Sequence, residues 1–150
     1  MKIFVKDKLN LSETEVEIRC RERDEEVERI LESVRSLEDT LMGEKENGDK
    51  TPVYISRVLY FEAVDRNVFA YTTSDFYRVR YTLTDIEEDL EKRYFVRISK
   101  SVIVNLRAVK KISPEDARRL KLQLRNGEWV VVSRNYVGDF KRSIGIKEAK

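Results

Sequence analysis

The spacing of apolar residues divides the chain into a short N-terminal part and a longer part dominated by predicted strands. Met1–Lys6 and Thr14–Cys20 alternate apolar and polar residues, which predicts two short strands. A helix is predicted over Asp24–Met42, where apolar residues recur at spacings of three and four: Val27, Ile30, Val34, Leu37 and Leu41. The polar run 43–50 contains two glycines and is predicted to be a linker. Residues 1–46 are therefore expected to form a small ββα segment.

The apolar stripe of this predicted helix has two interpretations. It packs on the protein's own sheet, or it meets the same helix of a second chain. Two heptads are short for a free coiled coil, which favours the first interpretation. Dimerisation and sensing of a partner both remain open as the role of the N-terminal segment.

From Pro52 onward the pattern is mostly that of strands and turns. Turns are predicted at residues 65–67 and 73–75, where Asp, Asn, Ser and Thr cluster. The strands on either side of these turns are predicted at Tyr54–Val64, Val68–Thr72 and Phe76–Tyr81.

Two short helices are also predicted in this part. Thr84 and Glu87 have the spacing of a capping box, so the first helix should run through Leu90. The second lies within residues 133–145, where Val137, Phe140 and Ile144 share a face and Gly145 provides a stop.

The stretch FVRISKSVIVNL, residues 95–106, contains a lysine in an apolar row. A regular strand would align Lys100 with Val96, Ile98, Val102 and Val104 on one face. An unpaired ammonium group is costly to bury there. Either the strand breaks at residues 99–101 and presents the lysine outward, or the lysine has an anionic partner.

The Asn126-Gly127 pair lies between two alternating runs and predicts a two-residue hairpin turn, because both residues tolerate the positive φ of a type I′ turn. This register places Leu124 opposite Trp129 and Arg119 opposite Arg134. The two arginines then repel each other, unless pairing has already ended there or an anion lies over them.

Composition excludes several classes of enzyme. The 150 residues include no histidine and one cysteine, Cys20. The chain therefore cannot form a Ser-His-Asp or Cys-His arrangement, a histidine metal triad or a cysteine-rich zinc site. Most of the 28 Asp and Glu residues fall in helix-like charged runs, which favours solvated faces over paired catalytic carboxylates. We expect neither an enzyme nor a bound metal or cofactor.

The net charge of +2 conceals an asymmetry between the two parts. Residues 1–50 carry 10 Lys and Arg against 15 Asp and Glu, whereas residues 51–150 carry 20 against 13. The second part is suited to a polyanionic partner, although ordinary solubility charge explains this count about as well. No apolar stretch is long enough to span a membrane and no secretory leader is evident, so a soluble, cytoplasmic protein is expected.

Four segments together carry a family resemblance. They are YFEAVDRNVFAYT (60–72), IEEDL (86–90), FVRISKSVIVNL (95–106) and LRNGEWVVVSRNYVGDFKRSIG (124–145). In this order and spacing they resemble the LytTR DNA-binding domain of bacterial transcription regulators, over residues 52–146. The resemblance implies a mostly β (α+β), elongated fold with short helices. It also implies a homodimer that binds direct repeats in double-stranded DNA by inserting loops, rather than a recognition helix, into the major groove.

The resemblance further implies which residues contact DNA. These are Lys100, Arg134, and the turn that contains Arg66 and Asn67. Arginine can bond guanine O6 and N7 together, so Arg134 is the candidate for base reading, whereas Lys100 suits a base edge or a phosphate. Candidates for phosphate or orienting contacts, for which solvent exposure or turn capping is an equal explanation, are Arg97, Ser99, Ser101, Asn135 and Lys121.

Two other functions fit the sequence less well. A protein-interaction module that uses a strand edge favours a long uncharged edge, whereas these strands end in Lys, Arg and Asp. An RNA-binding protein favours exposed aromatic residues on a sheet face, whereas most of the seven Tyr and six Phe occupy core positions of the pattern. The first fifty residues are too short for a receiver domain, so we expect a stand-alone regulator, with a regulatory protein as a further candidate partner.

Overall fold

The computed structural model describes residues 1–145, which form two compact units that divide between Arg35 and Ser36. The sequence placed this division later, between residues 46 and 52. The predicted end of the second domain, residue 146, lies outside the described residues.

The N-terminal unit contains one helix, α1 (Glu25–Ser36), apart from its last residue, and no strand among residues 1–35. Asp24 caps the helix, because its carboxylate accepts a hydrogen bond from the Val27 backbone N–H at 3.0 Å. The strands predicted at Met1–Lys6 and Thr14–Cys20 are wrong for the single chain. An alternating pattern becomes a strand only where another backbone completes the ladder, and the described residues provide none for these runs.

Within residues 36–145, seven antiparallel strands form the larger of two sheets. In space their order is β2-β1-β5-β4-β3-β7-β6. In chain order they are β1 (Thr40–Glu44), β2 (Lys50–Tyr54), β3 (Tyr60–Val64), β4 (Asn67–Tyr71), β5 (Phe76–Val79), β6 (Phe95–Arg97) and β7 (Val102–Asn105). The mostly β fold predicted from the sequence is confirmed. The single strand predicted at 54–64 is two strands, because a 3-10 turn at Ile55–Arg57 separates β2 from β3.

The predicted linker and the predicted end of the first helix are both wrong, because residues 40–54 form a β hairpin. Leu41 lies in β1 opposite Val53 of β2, and Gly43 lies opposite Thr51. Glu44 also pairs with Arg78 of β5, so the hairpin extends the large sheet. These ladders explain why the N-terminal unit ends before β1 rather than after it.

α2 (Leu83–Leu90) covers one face of the large sheet through Leu83, Ile86 and Leu90, which pack in a core with Phe61 and Phe95. The helix is confirmed, but the capping box predicted at Thr84 and Glu87 is wrong by two residues. The Thr82 hydroxyl accepts from the Asp85 N–H at 3.1 Å, and the Asp85 carboxylate accepts from the Thr82 N–H at 3.2 Å. The helix begins earlier because Leu83 is itself buried in its first turn.

A three-stranded sheet covers the opposite face of β3 and β7. Its strands are β8 (Val109–Glu115), β9 (Arg119–Leu124) and β10 (Trp129–Val132), in the order β10-β9-β8. α3 (Val137–Ser143) confirms the predicted C-terminal helix, and Gly145 follows it with φ +79°. The core between these elements contains Leu59, Tyr60, Ile98, Val104, Ala108, Leu122, Leu124, Val132 and Phe140.

Tyr60 connects the large sheet to the β9–β10 hairpin. Its hydroxyl donates to the Glu128 carboxylate at 2.8 Å, and its ring stacks on Tyr71 with a centroid distance of 4.6 Å. Burial, followed by the hydrogen bond to Glu128, raises the pKa of Tyr60. Burial, followed by the charge of Glu62, raises the pKa of Tyr71. Both hydroxyls therefore remain protonated donors at neutral pH.

The β9–β10 hairpin exists where it was predicted, but its register is shifted by one residue. Trp129 lies opposite Gln123, not Leu124, and Val132 lies opposite Leu120. The loop has three residues, 125–127, because the Gly127 N–H donates to the Leu124 carbonyl at 2.8 Å and Gly127 adopts φ +89°. Pairing ends at Val132, so Arg134 is not opposite Arg119 in the ladder.

Candidate nucleic-acid interface

The turn between β6 and β7 presents Lys100 to solvent. Phe95, Val96 and Arg97 pair with Asn105, Val104 and Ile103, and the chain reverses at residues 98–101. Ile98 is fully buried, whereas Lys100 is exposed. The predicted break in the strand is therefore confirmed, and it removes the lysine from the apolar row.

Arg97 holds this turn in shape from within. Its Nε donates to the Ser99 carbonyl at 2.9 Å, and its Nη2 donates to the Lys100 carbonyl. Its Nη1 donates to Glu87 Oε2 of α2 at 3.1 Å, and the side chain is only 20% exposed. Ser99 and Ser101 also act within the turn, because the Ser101 N–H donates to Ser99 Oγ at 3.2 Å. The structure thus gives Arg97 a positioning role, while its contact with a phosphate stays a prediction.

Ser133 attaches the segment containing Arg134 to the Lys100 turn. The Ser133 N–H and hydroxyl both donate to the Ile98 carbonyl, at 2.9 Å and 3.3 Å. Directly after Ser133, a 3-10 turn begins with Arg134 and Asn135, and both side chains are exposed. Two backbone segments that are 35 residues apart in sequence therefore meet here.

The β3–β4 turn lies next to the same edge. The Ala63 N–H of β3 donates to the Ser101 carbonyl at 2.8 Å. Asp65 and Arg66 form the turn with φ 49° and 68°, as a type I′ turn requires. Arg66 is exposed at its tip, and Asn67 is half-buried and donates to the Asp65 carbonyl at 3.4 Å. The structure thus brings together three of the predicted segments, those of Arg66, Lys100 and Arg134.

Lys121 has a different environment. It is half-buried and lies on the face of β9 opposite to that of the buried Leu122. Its Nζ lies 4.9 Å from the centroid of the Trp129 ring, which is a cation-π geometry. The structure therefore does not group Lys121 with the residues of the three turns.

An open groove beside Arg134 contains cations that the sequence analysis did not select. The groove, of about 500 Å³, is lined by Arg118, Arg119, Arg134 and Lys141, with Glu115 as the acidic residue among the lining side chains. Arg118 has a positive φ, +60°, at the β8–β9 turn. The sequence contained one signal for this groove, because the predicted hairpin register placed Arg119 opposite Arg134. The register is different in the structure, but both arginines line the groove. Such a concentration of cations favours an anionic ligand.

Among residues 1–145, no group of three or more His, Cys, Asp and Glu residues is arranged to hold a metal ion. Within the same range, no helix is both long enough and apolar enough to cross a membrane.

Comparison with known proteins places these features in a family. A family model described as the LytTr DNA-binding domain matches residues 49–145. A LytTr DNA-binding domain from Bacillus cereus has a similar structure, with a TM-score of 0.68 and 30% identity, covering 73% of this chain and 99% of that one.

Two relatives from Staphylococcus aureus are similar over almost their whole length. Both are named as uncharacterized HTH-type transcriptional regulators. The relative from strain bovine RF122 / ET3-1 is 28% identical and the one from strain MRSA252 is 27% identical, each over an alignment of 142 residues that covers 92% of this chain and 95% of the relative. The similarity therefore extends beyond residues 49–145 into the N-terminal unit.

Proposed function

The chain belongs to the LytTr DNA-binding domain family and is a DNA-binding regulator, and we propose that it reads specific double-stranded DNA through the three turns at one edge of its large sheet. The observation that carries this proposal is the backbone connection of these turns. The Ala63–Ser101 and Ser133–Ile98 hydrogen bonds hold the turns of Arg66, Lys100 and Arg134 side by side. Loops that are fixed in this way lose little conformational entropy when they bind DNA.

The side chains on these turns have distinct proposed roles. Arg134 reads a guanine through its planar fork of donors, because it is exposed at the start of a 3-10 turn that Ser133 anchors. Lys100 contacts a base edge or a phosphate as a point charge, and Arg66 and Asn67 supply contacts from the β3–β4 turn. Ser99, Ser101 and Asn135 are candidates for phosphate contacts or for orienting the turns.

The groove cations extend this surface toward the phosphate backbone. Arg118, Arg119 and Lys141 line the same groove as Arg134, and no ion pair with an acidic side chain within 4 Å engages them among the described residues. We assign them to phosphate contacts, which position the protein without reading sequence. Lys121, over the Trp129 ring, is a weaker candidate for such a contact.

The mode of reading uses loops rather than a helix-turn-helix. The relatives' names refer to a helix-turn-helix, but in the described residues of the second unit α2 is followed by β6 and α3 follows β10 directly through a 3-10 turn. The proposed regulator binds the major groove at paired direct repeats, with two chains per operator. It acts in the bacterial cytoplasm, where its DNA target lies, and a regulatory protein is a candidate partner.

The test begins with selection of bound fragments from a genomic duplex library, followed by titration of variants against the recovered site and a scrambled site. Arg134→Ala should lower the discrimination between the two sites by about 1–3 kcal/mol, because one bidentate base contact is lost. Arg107→Ala is the matched control, since Arg107 is an exposed arginine near the opposite end of β7, where its guanidinium lies over the Tyr94 ring. Equal weakening of both sites by Arg134→Ala would overturn the base-reading role, and absence of a preferred site would overturn the proposed function.

A further inference from the structure

Large apolar side chains are highly exposed in the first twenty residues. Such exposure is unexpected unless this segment has a partner. Met1, Ile3, Phe4, Val5 and Leu9 are each at least 80% exposed. They follow one another closely in sequence, unlike the scattered exposed apolar residues of an ordinary surface. A concentrated run of this kind marks an interaction surface.

Alternation gives each of the two N-terminal runs an apolar face and a charged face. In residues 1–8, which we call the basic run, Lys2, Lys6 and Lys8 share one face with Phe4, and Asp7 follows Met1, Ile3 and Val5 on the other. In residues 13–20, the acidic run, Glu13, Glu15, Glu17 and Arg19 share the charged face. Glu17 pairs with Arg19 at 3.4 Å. Among the described residues no ion pair within 4 Å engages the three lysines or the first two glutamates.

The two runs are complementary as antiparallel strands. A register that sets Ile3 opposite Ile18 also sets Val5 opposite Val16, so the apolar faces coincide. On the other face the same register sets Lys6 opposite Glu15 and Lys8 opposite Glu13, while Lys2 meets Arg19, a like charge, at the end of the pair. Opposite charges in directly facing positions stabilise a strand pair.

The single chain leaves this complementarity unused. A hydrogen bond of 3.3 Å from the Leu11 N–H to the Lys8 carbonyl bends the chain between the runs, but neither run forms a strand. A two-stranded hairpin made within one chain would be marginal, because its apolar face would stay in water. A second copy supplies a pairing strand for each run and covers its apolar face. In a two-fold dimer, both runs of both copies are then paired.

We propose that residues 1–20 are a dimerisation element in which the basic run of one copy pairs with the acidic run of a second copy. The proposal rests on the proposed function only in that two chains act together on DNA, and the dimer itself is measured without DNA. Similarity to the relatives from Staphylococcus aureus over 92% of the chain is consistent with an element that the regulators share.

A charge exchange tests the pairing between copies. The full chain should sediment as a dimer, whereas Lys6→Glu/Lys8→Glu and Glu13→Lys/Glu15→Lys should each weaken dimerisation about tenfold or more, because like charges then face each other at four positions of the dimer. An equimolar mixture of the two double variants should recover the dimer, since each charged run then meets its opposite in the other chain. Pairing within one chain predicts no recovery on mixing, so the experiment separates the two arrangements.

The control is Lys92→Glu/Lys110→Glu, which changes the net charge by the same amount as Lys6→Glu/Lys8→Glu at exposed lysines of the second unit. This variant should dimerise as the original chain does. A monomeric original chain, double variants that still dimerise, or a mixture that stays monomeric would each overturn the proposal. Binding of every variant to a DNA duplex with one half-site is measured in parallel. Failure of the original chain to bind this duplex would count against the DNA proposal and not against the dimer.

Discussion

Arg97 illustrates how the structure can favour one of two roles that the sequence leaves open for a residue. The sequence offered it as a phosphate or orienting contact because it lies beside Lys100. The fold directs its guanidinium inward, to the Ser99 and Lys100 carbonyls and to Glu87 of α2. These partners come from a turn geometry and a helix position that no spacing in the sequence specifies.

Replacement of Arg97 by alanine should weaken cognate DNA binding by about 1–2 kcal/mol without removing a phosphate contact, because the Lys100 turn loses the side chain that holds its carbonyls. Salt dependence separates the two roles. A positioning residue leaves the slope of log affinity against log salt nearly unchanged, whereas loss of a phosphate contact lowers its magnitude by about 1.

Two further variants calibrate this measurement. Lys100→Ala removes the exposed cation that Arg97 supports, and its slope shows whether Lys100 contacts a phosphate. Glu87→Gln keeps an oxygen acceptor for Arg97 and should have a small effect on affinity. A reduced slope for Arg97→Ala would show that Arg97 itself contacts the phosphate backbone.

At the scale of elements, apolar periodicity and turn residues located several of the strands and helices. β4, β5, α2, α3 and the break after β6 were predicted, because turn residues or a misplaced lysine marked their boundaries. The loop length at 125–127 was not, since the Asn126-Gly127 pair suits both a two-residue turn and a three-residue turn with glycine in the left-handed region. The β1–β2 hairpin was missed because its inward position, Gly43, has no side chain to mark a strand.

Gly43→Ala tests the packing of the β1–β2 hairpin, which the sequence did not predict. A Cβ at this position would lie 2.7 Å from Val53 Cγ2 and 2.8 Å from Tyr77 Cβ, so β1 can accept it only by moving away from β2 or β5. We expect a loss of about 1–3 kcal/mol in the free energy of unfolding, measured by urea denaturation. Met42→Ala is the control on the same strand, because Met42 is 53% exposed and its truncation should change stability by less than about 0.5 kcal/mol. Equal stability of the two variants would contradict the close packing at Gly43.

At the scale of the whole molecule, the charge asymmetry does not follow the division into two units, because residues 1–35 carry 8 Lys and Arg against 10 Asp and Glu, while residues 36–50 of the second unit carry 2 against 5. The acidic excess lies in the first fifty residues, and the cations of the three turns and the groove lie in the second unit. The sequence predicted a polyanionic partner for residues 51–150 from this asymmetry. It could not predict a strand-exchanged N-terminal dimer, because the alternating runs indicate strands without indicating which chain completes them.

If two chains are joined through residues 1–20, the second half-site of an operator is bound at a high effective concentration. Moving that half-site by five base pairs turns it to the opposite side of the duplex, and the paired-site affinity should fall about tenfold or more. An insertion of ten base pairs returns the half-site to the original side of the duplex and should recover part of the lost affinity. The Lys6→Glu/Lys8→Glu variant should bind a single half-site as the original chain does and should show little dependence on spacing, while mixing with Glu13→Lys/Glu15→Lys restores that dependence. Spacing dependence that persists in the separate variants would mean that the chains meet through the second unit, and the N-terminal runs would then have another partner.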